Sequence, residues 1–211
     1  MEKVQYSTTA LLQFPDVNMK ALFKCVTTIC LLINLLGCAK ANVYYPGNGA
    51  SNPVASGSPS DDQAYWDKVR QLEQELIGLS AAIDKTEARI LAETAVREAA
   101  VLAEEYQLVR PAVSHNLLVV FGVKDRGLCY HWAEDLMKRL DALDLKSVQL
   151  HWAVAYRGSE LREHNCVVIT GSGQPFLQGI VLDPWRNSGN LYWVRVTEDS
   201  YPWKVLPPSD W

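Results

Sequence analysis

The sequence lacks any concentration of positive charge. Its 211 residues carry 20 Lys and Arg against 24 Asp and Glu, which gives a formal net charge of −4. The basic residues are scattered and mixed with acidic ones, so the phosphate-binding patch typical of nucleic-acid-binding proteins is missing. We therefore expect no nucleic-acid partner. With 48% hydrophobic residues, the chain can form one globular domain plus appendages.

Cysteine and histidine are also scarce, with five Cys and four His in the whole chain. A zinc site built from Cys129, His131 and His164 would lack the paired ligand spacing of known zinc sites. We therefore expect no metal and no cofactor.

Residues 1–38 are interpreted as a leader and an export signal. The segment Met19–Lys24 is basic, and the apolar run Cys25–Gly37 is too short for a comfortable transmembrane helix. Leu35-Leu36-Gly37-Cys38 resembles a bacterial lipobox, which implies a lipid on Cys38. The alternative is an uncleaved membrane anchor. The eighteen preceding residues fit no signal pattern, so we expect translation to start at Met19.

Lipidation would place the protein in the bacterial cell envelope with the membrane as a partner. Position 39 holds Ala rather than Asp, which in enteric-type bacteria implies the outer membrane, with the domain facing the periplasm. Residues 39–60 are rich in Gly, Pro, Ser and Asn and are expected to form a flexible tether.

Residues 61–107 are expected to form a helical arm that Gly78 and Ser80 break in two. Apolar side chains recur at helical spacing along residues 62–83, at Trp66, Val69, Leu72, Leu76, Leu79 and Ile83. This face either recruits a helical partner or a second copy, or lies on the chain's own domain. We favour the second interpretation because the heptad pattern fades after Ile83.

The stretch Arg126–Ala133 predicts a loop that turns into a helix with a cysteine in its first turn. Gly127 permits the backbone angles of a tight entry, and apolar residues recur at helical spacing after Cys129. A thiol at a helix start is favoured as thiolate by the helix dipole, which contributes roughly 0.3–1 kcal/mol. Full activation therefore requires a further base or cation.

Two partners for this thiol lie downstream, each in a short apolar run that predicts a strand. His164 precedes Val167-Val168-Ile169, and Asp183 follows Ile180-Val181-Leu182. A Cys, a His and an Asp in this order fit a nucleophilic triad, in which the thiol attacks, the imidazole carries the proton and the carboxylate orients the imidazole. The structural alternatives are a disulfide between Cys129 and Cys166, or Cys166 as a small buried hydrophobe.

Alternating apolar residues predict an antiparallel meander of four strands, at residues 149–156, 162–170, 180–185 and 191–196. Together with the predicted helices, this gives an α+β fold in which the sheet packs against helices. Residues 108–211 are expected to form this domain. A helix starting near Pro111 is expected to bury the side chains of Ala112, Leu117, Leu118, Val120 and Phe121.

The chain resembles the transglutaminase-like branch of the papain-type cysteine hydrolases. The resemblance rests on Gly127-Leu128-Cys129 followed by aromatic residues, on His164 opening an apolar strand, and on Leu182-Asp183-Pro184. It covers roughly residues 108–206. It implies a transglutaminase-like core in which an amide bond is hydrolysed or exchanged through an acyl-thioester. The substrate would be a protein or a peptidoglycan stem peptide.

Further residues are assigned around the predicted triad. The backbone N–H of Cys129 and the side chains of His115 or Asn116 are candidate oxyanion donors, although His115 also fits a capped or solvent-facing imidazole. His131, Trp185 and Trp193 are expected to line a substrate groove, with a core position as the alternative for the tryptophans. A non-catalytic binding lipoprotein, which uses the helical arm and the aromatic groove, is the alternative function.

Overall fold

The computed structural model describes residues 59–159, 161–207 and 209 of the chain. The predictions for the leader, for Cys38 and for the tether up to residue 58 lie outside the described residues. The described elements begin with two long helices, α1 (Pro59–Ile77) and α2 (Lys85–Glu105). Helix α1 begins two residues before the predicted start of the helical segment at residue 61. The predicted break between the helices is confirmed, because residues 78–84 form turns.

Helix α2 starts at a conventional cap. Asp84 has extended backbone angles, and its Oδ1 accepts hydrogen bonds from the N–H groups of Thr86 at 2.8 Å and Glu87 at 2.9 Å. These bonds satisfy donors that the first turn of a helix leaves without partners. Beyond the cap, a face of small and apolar side chains (Ala88, Leu91, Ala92, Ala95, Ala99, Leu102 and Ala103) is buried, which allows close packing.

The two long helices do not form a separate arm. The apolar face of residues 62–83 is buried in the same core as the sheet, with Leu72 and Leu76 fully covered. This face therefore lies on the chain's own domain, as we favoured, and is not free to pair with another helix. The helix side of the sheet thus offers apolar surface that α1 and α2 cover.

Two shorter helices follow, α3 (Ala112–Val120) and α4 (Cys129–Asp141). The side chains of Ala112 and His115 are the buried ones on α3. The prediction that Leu117, Val120 and Phe121 are buried is wrong, because their exposed fractions are 58%, 70% and 76%. The helix lies on the surface and is fixed through its other face, for example where the Ala112 N–H donates to Ser188 Oγ at 2.9 Å.

The sheet is antiparallel, and its strands are β1 (Val148–Ala155), β2 (His164–Gly171), β3 (Ile180–Asp183), β4 (Tyr192–Arg195) and β5 (Lys204–Val205). Their order is β4-β3-β2-β1-β5. The predicted four-strand meander is confirmed. The two-residue strand β5, which the sequence analysis missed, pairs with β1 at Ala153 and Val154. The described part of the chain is therefore α+β.

The sheet separates two clusters of buried side chains. Val167, Ile169 and Leu182 face the core shared with α1, α2 and α4. Cys166, Val168 and Val181 face a smaller cluster that Trp203 covers. No helix within the described residues is long and apolar enough to cross a bilayer.

Candidate active site

Cys129 is the first residue of α4 and follows Leu128, whose extended backbone angles make it the N-cap. The Cys129 side chain is half-buried, and its Sγ lies 3.7 Å from the carbonyl oxygen of Glu163. Glu163 is the residue before His164, so the start of α4 meets the start of β2. The predicted position of the thiol at a helix start is confirmed.

His164 begins β2, and Asp183 ends the adjacent antiparallel strand β3. This arrangement places the two side chains together, with His164 Nε2 2.6 Å from Asp183 Oδ2. Their side chains are only 4% and 0% exposed. Because a carboxylate only accepts, Nε2 carries the hydrogen and donates. The ring nitrogen left for Cys129 is therefore Nδ1.

The surroundings of His164 favour its charged form. Burial by itself lowers the pKa of His164, but hydrogen bonding with Asp183 and Cys129, and the negative charge on both, outweigh it. Together they raise the pKa of His164 from 6.5 to about 9. At neutral pH the imidazole is thus a cation next to the Cys129 thiol, which supplies the positive partner that the helix dipole alone cannot replace.

Three aromatic rings surround the His164 imidazole. The ring centroids of Trp185 and Tyr201 each lie 4.9 Å from it, and that of Trp203 lies 5.5 Å away. These rings exclude water from the pair of His164 and Asp183, which strengthens the interaction between their charges. Of the two tryptophans predicted to line a groove, Trp185 therefore lies at the site.

The loop before Cys129 is fixed by contacts that only glycine allows. Gly127 has a φ of +127°, and a Cβ on it would lie 2.4 Å from His115 Nε2. Its N–H donates to His131 Nδ1 at 3.1 Å, and its carbonyl accepts from Trp132 Nε1 at 2.9 Å. The prediction that Gly127 adopts unusual backbone angles is confirmed, and its neighbours hold the entry to α4 rigidly.

His131 does not line a groove at the surface. It is buried, and its Nδ1 also accepts from the Leu128 N–H at 3.2 Å. Burial and the positive charge of Arg126 lower the pKa of His131, so the ring stays neutral and keeps an acceptor nitrogen. We correct its role to that of a cap on the N-terminus of α4, because the first turn of a helix leaves N–H groups that need acceptors.

His115 is not available as an oxyanion donor. It is fully buried, its Nδ1 accepts from the Val109 N–H at 3.1 Å, and its Nε2 donates to the Arg126 carbonyl at 2.8 Å. With both nitrogens committed to backbone groups, the ring serves to hold the loop before Cys129. Asn116 uses its Oδ1 to accept from Trp185 Nε1 at 3.1 Å, so it orients an aromatic ring that contacts His164.

Trp193 is not brought to the triad. It pairs with Leu182 across β3 and β4, which places it on the helix side of the sheet, where Lys68 Nζ lies 5.5 Å from its ring. Asp183 is the next residue after Leu182 and points to the opposite side. Both tryptophans pack against the helix-side core, but of the two only Trp185 has a ring in contact with His164, so the predicted groove lined by both does not form at the triad.

Neither a disulfide nor a metal site is formed by the cysteines and potential ligands of the described residues. Cys129 and Cys166 are both free, and Cys166 is fully buried, so the disulfide alternative is wrong and Cys166 is a buried hydrophobe. Within the described residues, no group of three or more His, Cys, Asp or Glu side chains is arranged to hold a metal ion.

Two charged residues at the site escaped the sequence analysis. Arg186 donates to Asp183 through its backbone N–H at 3.0 Å and its Nε at 3.2 Å. Its terminal nitrogens donate to Asp199 at 3.2 Å and 2.9 Å. The only signal for Arg186 was its position directly after Leu182-Asp183-Pro184-Trp185.

Comparison of the chain with protein-family models, with curated proteins and with solved structures finds no match.

Proposed function

We propose that the chain is a cysteine acyl-transfer enzyme of transglutaminase-like type, which hydrolyses or exchanges an amide bond. Cys129 is the nucleophile, His164 the general base and acid, and Asp183 the residue that orients His164. The observation that carries the proposal is the 2.6 Å contact between two buried ionisable side chains, His164 and Asp183, beside a free thiol at a helix start. Burying such a pair is costly unless the protein uses it or satisfies it fully.

In the proposed first step, the Cys129 thiolate attacks the carbonyl carbon of the substrate and forms a new C–S bond. The electron pair of the carbonyl moves to its oxygen. The backbone N–H of Cys129 is one of the first-turn groups that a helix leaves without an intrahelical acceptor, and it stabilises this oxyanion. The C–N bond then breaks as the imidazolium of His164 gives its Nδ1 proton to the leaving amine.

The second step releases the acyl group from the enzyme. Water or an acceptor amine attacks the thioester while neutral His164 accepts a proton at Nδ1. The C–S bond then breaks and returns the Cys129 thiolate beside an imidazolium. Asp183 holds Nε2–H throughout and stays ionised. Hydrolysis and transfer differ only in which nucleophile reaches the thioester.

The proposal also includes a lipid anchor, a location in the cell envelope and a class of substrate. The lipobox at Leu35–Cys38 supports a lipid anchor on Cys38, and the anchor supports a place in the bacterial cell envelope, at the outer membrane facing the periplasm. The substrate would then be a protein or a peptidoglycan peptide within reach of the tether. The antiparallel sheet with a nucleophile-bearing helix against it supports a transglutaminase-like core.

The proposal is tested by trapping the acyl-enzyme with a generic activated ester, p-nitrophenyl acetate. Wild type should release nitrophenol in a burst and gain one acetyl group on Cys129, located by peptide mass spectrometry. Cys129→Ala should lose the adduct, and His164→Ala should form it at least a hundredfold more slowly, in line with the roughly 10²–10⁴ contributed by general acid–base catalysis. Cys166→Ala is the matched control and should behave as wild type.

A second candidate function is supported by one observation. Val113, Leu117, Val120, Phe121 and Val123 are all exposed on α3 and just after it, and a contiguous apolar surface of this kind is typical of a binding site. A folded wild-type protein that forms no acyl adduct on Cys129 would favour a non-catalytic binding lipoprotein that uses this surface.

A further inference from the structure

Behind the proposed triad, the charged and aromatic side chains form a closed ring of contacts. His164 donates to Asp183, Asp183 accepts from Arg186, and Arg186 donates to Asp199. Asp199 Oδ2 accepts from Trp203 Nε1 at 2.9 Å, and the ring of Trp203 packs back against His164 at 5.5 Å. A ring of this kind fixes the position of every member relative to the others.

Arg186 touches both oxygens of the Asp183 carboxylate. Its backbone N–H reaches Oδ1 at 3.0 Å, and its Nε reaches Oδ2 at 3.2 Å. With one hydrogen bond from Arg186 on each oxygen, the carboxylate cannot rotate without losing a partner. The Oδ2 atom is therefore held toward His164 Nε2.

Asp199 binds the terminal nitrogens of the Arg186 guanidinium and so determines which donor of Arg186 remains for Asp183. Its two oxygens take both terminal nitrogens of the guanidinium, in the paired geometry that arginine and carboxylate favour. Only Nε then remains for Asp183, which leaves the rest of Oδ2 to His164. Without Asp199, the terminal nitrogens would turn to Asp183 and compete with the imidazole.

The side chains of Arg186 and Asp199 are both largely shielded from solvent. The Arg186 side chain is 20% exposed and that of Asp199 is 1% exposed. The guanidinium lies over the rings of Tyr192 at 4.3 Å and Tyr201 at 4.9 Å. Burial by itself raises the pKa of Asp199, but hydrogen bonds from Arg186 and Trp203 outweigh it, so the pKa of Asp199 is lowered and the carboxylate stays charged.

We propose that Arg186 and Asp199 are positioning residues for acyl transfer, which hold the Asp183 carboxylate so that it fixes the His164 imidazole and aims its Nδ1 at Cys129. This inference rests on the catalytic roles proposed for Cys129 and His164. Neither residue touches the reacting thiol. They act through Asp183.

The test separates positioning from simple charge. Removing the cation in Arg186→Gln should by charge alone raise the pKa of His164, because a positive neighbour disfavours imidazolium. If Arg186 positions Asp183, the same variant should lower the pKa of His164, because the carboxylate turns away. Asp199→Asn should lower it as well, but the loss of a negative charge acts in the same direction, so Arg186→Gln is the deciding variant. The readout is the titration of the His164 ring followed by ¹⁵N NMR, with the resonance assigned from His164→Gln.

The matched control is Arg139→Gln. Arg139 also bridges two carboxylates, those of Glu98 and Glu105, with a 26% exposed side chain, but it lies near the other end of α4. The Arg139→Gln variant should be less stable to urea than wild type, but its His164 ring should titrate as in wild type. At pH 6.5 we expect the alkylation of Cys129 to be at least about tenfold slower in Arg186→Gln and Asp199→Asn, and within about twofold of wild type in Arg139→Gln.

The proposal is overturned if Arg186→Gln and Asp199→Asn lose stability but leave the titration of His164 unchanged, or if Arg186→Gln raises its pKa. Should Arg186→Gln fail to fold, Arg186→Lys replaces it, because lysine keeps the positive charge but lacks the planar guanidinium with its paired N–H donors. A lowered pKa of His164 in that variant supports positioning. The NMR titration needs no activity. A wild type that forms no acyl adduct would therefore refute the proposed function, while the titration still decides whether the ring positions His164.

Discussion

The loop before Cys129 is the most exacting local feature, and Gly127→Ala tests it. The new methyl group would lie 2.4 Å from His115 Nε2, and the backbone would keep a φ of +127°. A side chain at positive φ costs roughly 1–2 kcal/mol. Relieving the overlap displaces His115 from two hydrogen bonds, each worth about 1 kcal/mol. We therefore expect the free energy of unfolding to fall by about 3–4 kcal/mol.

A matched glycine separates the two costs. Gly158 has a φ of +82°, but a Cβ there meets nothing within 4 Å, so Gly158→Ala should lose only the roughly 1–2 kcal/mol of backbone strain. Both variants are measured by urea denaturation beside wild type. If Gly127→Ala costs no more than Gly158→Ala, then His115 does not pack against this loop, and the account of a rigid entry to α4 is refuted.

The remaining predictions concern His164, Cys166 and His131. The folded-state pKa of His164, about 9, lies above the ~6.5 of an unfolded imidazole. This group therefore contributes about 3 kcal/mol of stability below pH ~6.5, which is lost as the pH rises through about 9. Urea unfolding at pH 6 and pH 10 should show that extra loss in wild type but not in His164→Gln, and equal losses would contradict it. Cys166 is fully buried, so iodoacetamide should label it only in denaturant. Labelling of Cys166 in the native state would contradict its burial. His131→Ala should cost about 1–2 kcal/mol in urea denaturation through the lost cap, and a neutral result would refute the capping role.

The sequence was informative wherever chemistry and local pattern coincide. Cys129 at the start of a periodic helix, and His164 and Asp183 at the ends of apolar strands, were all predicted at the positions where the structure brings them together. The same held for the strand meander, because alternation of side chains has a period of two and is readable over four to eight residues.

The supporting residues were not predictable because their partners depend on the path of the chain. Arg186 and Asp199 are thirteen positions apart in a turn-rich region, where charges are usually solvated. Only the return of the chain after β4 places Asp199 against the guanidinium. His115 was a candidate oxyanion donor and His131 a candidate groove residue, whereas the rings of both accept hydrogen bonds from backbone N–H groups.

The predicted burial of the apolar residues of α3 was wrong for another reason. Five apolar residues in a short helix predict burial, but a helix buries only what a neighbouring layer can cover. Here the face of α3 that carries Ala112 and His115 is covered. Leu117, Val120 and Phe121 lie on the exposed side. Pattern alone does not tell which of two apolar faces a domain will use.

The central claim is that His164, held by Asp183, keeps the Cys129 sulfur reactive, and the pH dependence of Cys129 alkylation tests it most directly. An ordinary thiol with a pKa of about 8.5 reacts with iodoacetamide roughly 70-fold more slowly at pH 6 than at pH 8. Peptide mass spectrometry on the native protein should show a fall of less than about fivefold for Cys129, and His164→Ala should restore the steep dependence. A wild-type Cys129 that slows roughly 70-fold, like an ordinary thiol, would contradict the account.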